Sequence, residues 1–275
     1  MDRDDLWDIE MRLFLQGIRE VYGHDFTGYG DASLRRRLSR WLSRTDYPTL
    51  SSALGEIIRN RQIFIDFLNQ VTVTVSEMFR DPPFYRAIRE EVVPLLATFP
   101  SIRIWVAGCS RGEEAFSVAI VMEEAGLLPR TTIYATDINP AAIEGGKGGI
   151  LPLAEMKGYS RNYLSSGGSG SLSDYLQARY DRVIIDKRIR DRIVFASHNL
   201  ATDGSFGEMQ MILCRNVMIY FTPPLKERVL TLLDSSLEPG GILCLGSKET
   251  LEGRRIAPGY EEMVKPLRIY RKRYE

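Results

Sequence analysis

Histidine and cysteine are scarce in this chain of 275 residues, which has two of the first and three of the second. His24 and His198 leave little material for histidine-based acid–base catalysis or for a His-rich metal centre. Cys109, Cys214 and Cys244 lie far apart, with no CxxC pair, which argues against a zinc ribbon or a disulfide framework and suits reduced, buried thiols. Net charge is lacking as well. With 36 basic and 36 acidic residues, the chain does not read as a general nucleic-acid binder. No apolar run is long enough to span a bilayer. The start, Met1-Asp2-Arg3-Asp4-Asp5, is acidic where a signal peptide is basic and then apolar, so the expected location is the cytoplasm.

What is present is enough apolar sequence, 44%, to bury one large domain or two of moderate size. Residues 1 to about 75 carry helical spacing: Leu13, Phe14 and Ile18, then Leu50, Leu54, Ile57 and Ile58, then Ile63, Phe64, Phe67 and Leu68. From about residue 100 the texture changes to strand, turn, helix. Arg103–Val106 precedes Glu113–Ala125, and Thr132–Ala135 precedes Asn139–Lys147, a pattern that predicts parallel βαβ units in an open α/β sheet. Further strands are expected at Met211–Cys214 and Gly241–Leu245, around a helix over Pro224–Leu237, with a closing hairpin from Tyr260–Val264 and Leu267–Arg271. Between about 149 and 198 the pattern breaks. A flexible run, Ser165 to Ser171, precedes two β-like runs, Arg182–Asp186 and Arg192–Ala196, which suggests a small β excursion from the sheet.

Ligands of open α/β sheets bind at the carboxyl ends of the strands, so the residues just after each strand carry the most information. After the first comes Ala107-Gly108-Cys109-Ser110-Arg111-Gly112-Glu113-Glu114, a small-residue turn opening into two carboxylates. Acidic side chains beside the turn's donors disfavour phosphate and favour a cationic or hydroxyl-bearing ligand, although many such turns are glycine-rich for geometry alone. After the second comes Asp137, placed either to accept ribose hydroxyls or to cap the next helix. After a later strand, Arg215, Asn216 and Tyr220 crowd together, polar groups that are costly to bury without partners.

Six blocks, TVTVSEMFRD (Thr72–Asp81), WVAGCSRGEE (Trp105–Glu114), ATDIN (Ala135–Asn139), HNL (His198–Leu200), CRNVMIYF (Cys214–Phe221) and GGILCLGS (Gly240–Ser247), together resemble the CheR family. Its members are chemotaxis-receptor glutamate O-methyltransferases that use S-adenosyl-L-methionine and release S-adenosyl-L-homocysteine. The resemblance covers nearly the whole chain. It implies an α/β fold: an all-helical N-terminal domain, 1–80, that can dock a receptor, then a class I methyltransferase domain, 81–275, with a closing antiparallel hairpin and a β subdomain inserted at about 150–197. Cofactor contacts are implied at Thr74, Ser76, Arg80, Glu114, Asp137, Asn199, Leu200, Cys214 and Arg215, with Arg80 and Tyr220 near the transferred methyl group and no metal. Glu114 suits the amino group of the methionine part, Asp137 the ribose and Asn199 the adenine edge.

Departures from the usual family residues are Thr74, Ser76, Met78, Arg111, Ala115, Phe116 and Gln210. Thr74 lacks the paired donor and acceptor of an amide, and Arg111 is long enough to reach over the turn. The expected partner is a methyl-accepting chemoreceptor or similar signalling protein. In Asp31–Arg44, Leu34, Leu38, Trp41 and Leu42 share one helix face, and Arg36, Arg37, Arg40 and Arg44 are placed opposite, as a stripe for an acidic helical substrate. Two other readings stand beside the active enzyme: a non-catalytic regulatory relative, and a nicotinamide-dependent oxidoreductase, which the turn and Asp137 alone allow.

Overall fold

A computed structural model describes residues 3–72, 76–179, 182–205 and 207–274. Four helices open the chain: α1 (Arg3–Tyr22), α2 (Asp31–Leu42), α3 (Leu50–Ile57) and α4 (Arg61–Val71). Their inward faces converge on Trp41, whose ring lies 5.5 Å from that of Phe14 and 5.1 Å from that of Phe67. The spacing holds for Phe14, Ile18, Leu34, Leu38, Leu50 and Phe67, all buried here, whereas Leu13 is exposed. A step of roughly 100° per residue turns Leu13 away once Phe14 and Ile18 face the core.

The chain then passes through α5 (Pro82–Ala87), a π turn at Ile88–Val92 and α6 (Val93–Leu96) into the sheet domain. Met78 and Phe79, just before α5, are fully buried in that domain's core. The sheet strands are β1 (Ile102–Ala107), β2 (Thr131–Asp137), β6 (Ile193–Ser197), β7 (Met209–Cys214), β8 (Leu237–Leu245), β9 (Tyr260–Val264) and β10 (Ile269–Lys272), in the order β6-β2-β1-β7-β8-β10-β9. From β6 to β8 neighbours pair in parallel; β10 and β9 close the sheet antiparallel. Helices α7 (Glu113–Glu124), α8 (Pro140–Gly148) and α11 (Pro223–Ser236) belong to its crossovers. In β1, Ile102, Ile104 and Val106 enter one core and Trp105 and Ala107 the other, so both faces are covered, as a central parallel strand requires.

The inserted unit holds β3 (Ile150–Pro152), α9 (Met156–Ser165), β4 (Leu176–Arg179), β5 (Arg182–Ile185) and the short α10 (Lys187–Arg190), with an antiparallel sheet ordered β3-β5-β4. The run expected at Arg192–Ala196 is not part of it: as β6 it pairs with β2 and forms an edge of the large sheet. The Ser165–Ser171 stretch is also more organised than its composition suggests. Ser166 is fully buried, Gly170 N–H donates to the Tyr163 hydroxyl, and a Cβ on Gly168 would lie 2.3 Å from the Tyr163 ring. Gly168 is there to let the chain cross an aromatic face.

The helical and sheet domains are joined by backbone and side-chain hydrogen bonds. Gly30 N–H donates to Tyr220 O and Thr222 N–H to Gly28 O, both at 2.8 Å, while Asn139 Nδ2 donates to Thr72 Oγ1 at 2.9 Å. No helix among the described residues is long and apolar enough to cross a membrane.

Candidate functional site

The strand order reverses between β1 and its neighbours β2 and β7, which opens a crevice at their carboxyl ends. A cavity of about 320 Å³ lies there, roofed by the helical domain. The turn after β1 takes a course that suits small residues, with positive φ at Gly108, Ser110 and Gly112. Cys109 N–H donates to Thr136 O at 2.8 Å and ties the turn to β2. Ser110 is buried and its hydroxyl has no partner among the described residues, although the residue lines the cavity. Such a group is satisfied by a ligand or water.

Asp137 braces this corner. Its Oδ2 accepts from Ser110 N–H and its Oδ1 from Asn139 N–H, both at 2.9 Å, and burial pushes its carboxyl above the usual aspartate range. The helix-capping role open to Asp137 belongs instead to Asn139, whose Oδ1 accepts from Ala141 and Ala142 N–H. A carboxylate has about four acceptor positions, so Asp137 keeps acceptor capacity for hydroxyls in the cavity.

Across the cavity Arg215 is enclosed, its side chain 3% exposed. Nη1 donates to Glu114 Oε1 at 2.6 Å and Nη2 to Asp81 Oδ2 at 2.7 Å, and the guanidinium carbon lies 3.9 Å from the centre of the Phe84 ring. Burial disfavours its charge, but Glu114, Tyr85 and Asp81 outweigh that and hold it protonated. Asp81 and Asn216, like Ser110, are non-glycine residues with positive φ. Strain of this kind, of order 1–3 kcal/mol each, gathers where a site is held in one conformation.

The expected site residues fall largely together. Ser76, Arg80, Glu114, Asp137, Asn199, Leu200, Arg215 and Tyr220 all line the cavity. Asn199 N–H donates to Asp203 Oδ2 and its Oδ1 accepts from Ala201 N–H, which fixes the amide at the far end. Thr74 lies outside the described residues. Cys214 departs from expectation: it is the last residue of β7, fully buried with its thiol pushed up by burial, and does not line the cavity.

Two residues that the strand-end logic misses come from the helical domain. Tyr29 lines the cavity beside Phe221, ring centres 5.0 Å apart. Arg37 lies with its guanidinium carbon 4.4 Å from the centre of the Tyr220 ring, and its Nη1 donates to Val71 O at 2.9 Å. Arg37 therefore leaves the expected basic stripe. At roughly 100° per residue it lies about 60° from Leu34 and about 40° from Trp41, nearer the buried face than the outer one. Arg36, Arg40 and Arg44 remain exposed.

Ser76, Glu77 and Arg80 also line a second, more open cavity of about 820 Å³, shared with Arg111, Glu113, Tyr159 and the β3 turn. Arg111 thus points away from the first cavity and does not obstruct it. Glu113 is buried, its Oε2 has no partner among the described residues, and burial pushes its carboxyl above the usual glutamate range against the opposing pull of Arg111 and Ser76.

The chain matches the family described as CheR methyltransferase, SAM binding domain, over residues 74–264, and CheR methyltransferase, all-alpha domain, over residues 9–72. Among curated relatives, Cher3 of Pseudomonas putida is 45% identical over 265 residues, covering 96% of this chain and 97% of its own. A protein of Vibrio parahaemolyticus named chemotaxis protein methyltransferase is 32% identical over 234 residues, 80% of this chain and 81% of its own. One of the same name from Listeria innocua is 28% identical over 240 residues, 86% and 88% of the two chains.

Proposed function

The chain belongs to the CheR family of S-adenosylmethionine-dependent methyltransferases, and we propose that it methylates glutamate side chains of a chemoreceptor. The observation that carries the acceptor half of this reading is Arg80, which lines both the enclosed cavity and the open one beside it. A side chain at that junction can meet a carboxylate arriving from solvent while touching the space where the methyl donor belongs. The name of the Vibrio parahaemolyticus relative supports the chemotaxis setting.

The residues present fit the donor. Asp137 would hold the ribose hydroxyls, Glu114 the amino group through acceptor capacity that Arg215 does not use, Asn199 and Leu200 the adenine end, and the unpartnered Ser110 hydroxyl a polar atom of the ligand. When bound, S-adenosylmethionine supplies a methyl group on a sulfonium, a good leaving group. A glutamate acceptor, with an ordinary pKa of about 4.3, is ionised at neutral pH, so no general base is required. The protein's work is then orientation and exclusion of water, effects that can supply roughly 7–11 kcal/mol. Arg80 orients the carboxylate through its planar fork, and Tyr220, held by Arg37, offers one hydroxyl.

We place the receptor's acidic helix on Arg36 and Arg40, exposed on the outer face of α2, and on Arg44, exposed in the turn that follows it. Incubation with labelled S-adenosylmethionine and the cytoplasmic fragment of a receptor tests the reading. Alkali-labile label on the fragment supports it; cofactor binding in calorimetry with no transfer to any receptor would instead mark a regulatory relative.

A further inference from the structure

We infer that Glu249, which none of the sequence blocks includes, is the positioning residue that fixes the loop after β7 and so places Arg215 and Tyr220; its bearing on methyl transfer rests on the function proposed above. Glu249 is 6% exposed. Its Oε2 accepts from Gly246 N–H at 2.7 Å and Asn216 N–H at 2.9 Å, and its Oε1 from Met218 N–H at 2.7 Å and Val217 N–H at 3.1 Å. Those bonds fill the roughly four acceptor positions of an ionised carboxylate. A buried charge is tolerated when it is hydrogen-bonded in this way, and here the donors are backbone amides of one short segment and of the strand end beside it.

The loop needs such a clamp. Asn216 has φ of 60°, a conformation that non-glycine residues hold only when the surroundings over-determine it. Gly246 permits the approach: a Cβ there would lie 2.6 Å from Glu249 Oε2 and 2.7 Å from Asn216 N. Arg215, Asn216, Val217, Ile219 and Tyr220 all line the cofactor cavity, whereas Glu249 lines neither it nor its open neighbour. Glu249 therefore acts through the loop and touches no reactant.

Substitution separates this role from bulk packing. Glu249→Gln keeps the shape but turns an NH₂ group toward amide donors, and Glu249→Asp keeps the charge but is one methylene short. The test combines amide hydrogen exchange on the full chain, calorimetry with S-adenosylhomocysteine and methyl-transfer kinetics. In Glu249→Gln, the Asn216, Val217 and Met218 amides should exchange about 100-fold faster or more while the helical domain is unchanged. Its kcat should fall about tenfold or more, with a smaller loss of S-adenosylhomocysteine affinity, and Glu249→Asp should lie between it and the wild type. Wild-type protection of those amides would overturn the proposal, as would an exchange increase spread evenly over the chain with kcat unaltered. Failure of the wild-type protein itself to bind S-adenosylhomocysteine would overturn the proposed function, and the exchange result would still decide whether Glu249 holds the loop.

Discussion

Arg215 Nη1 donates to Glu114 Oε1 at 2.6 Å, so the loop after β7 and the first turn of α7 are tied together at the cavity that both residues line. A buried pair of this kind matters most when it is broken, because the surviving charge is left without compensation. Arg215→Ala is expected to cost about 3 kcal/mol or more in stability and to abolish S-adenosylmethionine binding. Arg215→Lys should also fail, since an ammonium cannot span Glu114 and Asp81 as the fork does. Thermal melts and calorimetry on the two variants check this; full affinity in either would remove the pair from the cofactor site.

Asp137 accepts from Ser110 N–H at 2.9 Å, and the proposed function has it hold the ribose hydroxyls. Hydrogen bonds to a charged acceptor are worth about 1.5–3 kcal/mol each, so Asp137→Ala should weaken S-adenosylmethionine binding at least tenfold with the fold retained. Affinity within twofold of wild type would mean that the ribose lies elsewhere.

Glu113 gives a pH-dependent prediction. Burial raises its carboxyl in the fold, so the folded state favours the protonated form. The contribution of that preference to stability is full below the ordinary glutamate value of about 4.3 and is lost as pH rises through the raised folded value. Glu113→Gln, which mimics the neutral form, should therefore melt above the wild type at pH 8, with the gap closing toward pH 4. A gap that is constant with pH, or that widens on acidification, would show that Glu113 is held ionised.

Much of the site was legible because it is local. The turn after β1, Asp137 after β2 and Arg215 after β7 each follow a recognisable strand, and the rule that ligands gather at strand ends joins them without any tertiary information. Tyr29, Arg37 and Glu249 obey no such rule. They reach the site through domain docking, a helix face and a loop clamp, which only the packed chain specifies. Arg37 was recoverable, since its angle to Trp41 puts it near the buried face, but its charge suggested solvent. The Gly/Ser composition of Ser165–Ser171 suggests flexibility, whereas Gly168 packs over the Tyr163 ring. In sequence the β6 run follows the small sheet and so suggests part of the excursion, whereas its pairing is with β2.

The exposed arginines of α2 and the turn after it make a separable prediction. Replacing Arg36, Arg40 and Arg44 together by Glu should slow receptor methylation about tenfold or more at low salt and weaken its salt dependence. S-adenosylmethionine affinity should not change, because none of the three lines the cavity. An unchanged rate and salt dependence would place receptor docking on another face.

Peptide mapping by mass spectrometry shows whether the methyl group goes to receptor glutamates. Receptor fragments of the source organism are incubated with isotopically labelled S-adenosylmethionine and the wild-type protein, with Asp137→Ala in parallel. Labelled, alkali-labile methyl esters are expected on glutamate side chains with the wild type, with a large loss in the variant. Label on nitrogen or on another side chain, or none on any receptor despite bound cofactor, would contradict transfer to receptor glutamates.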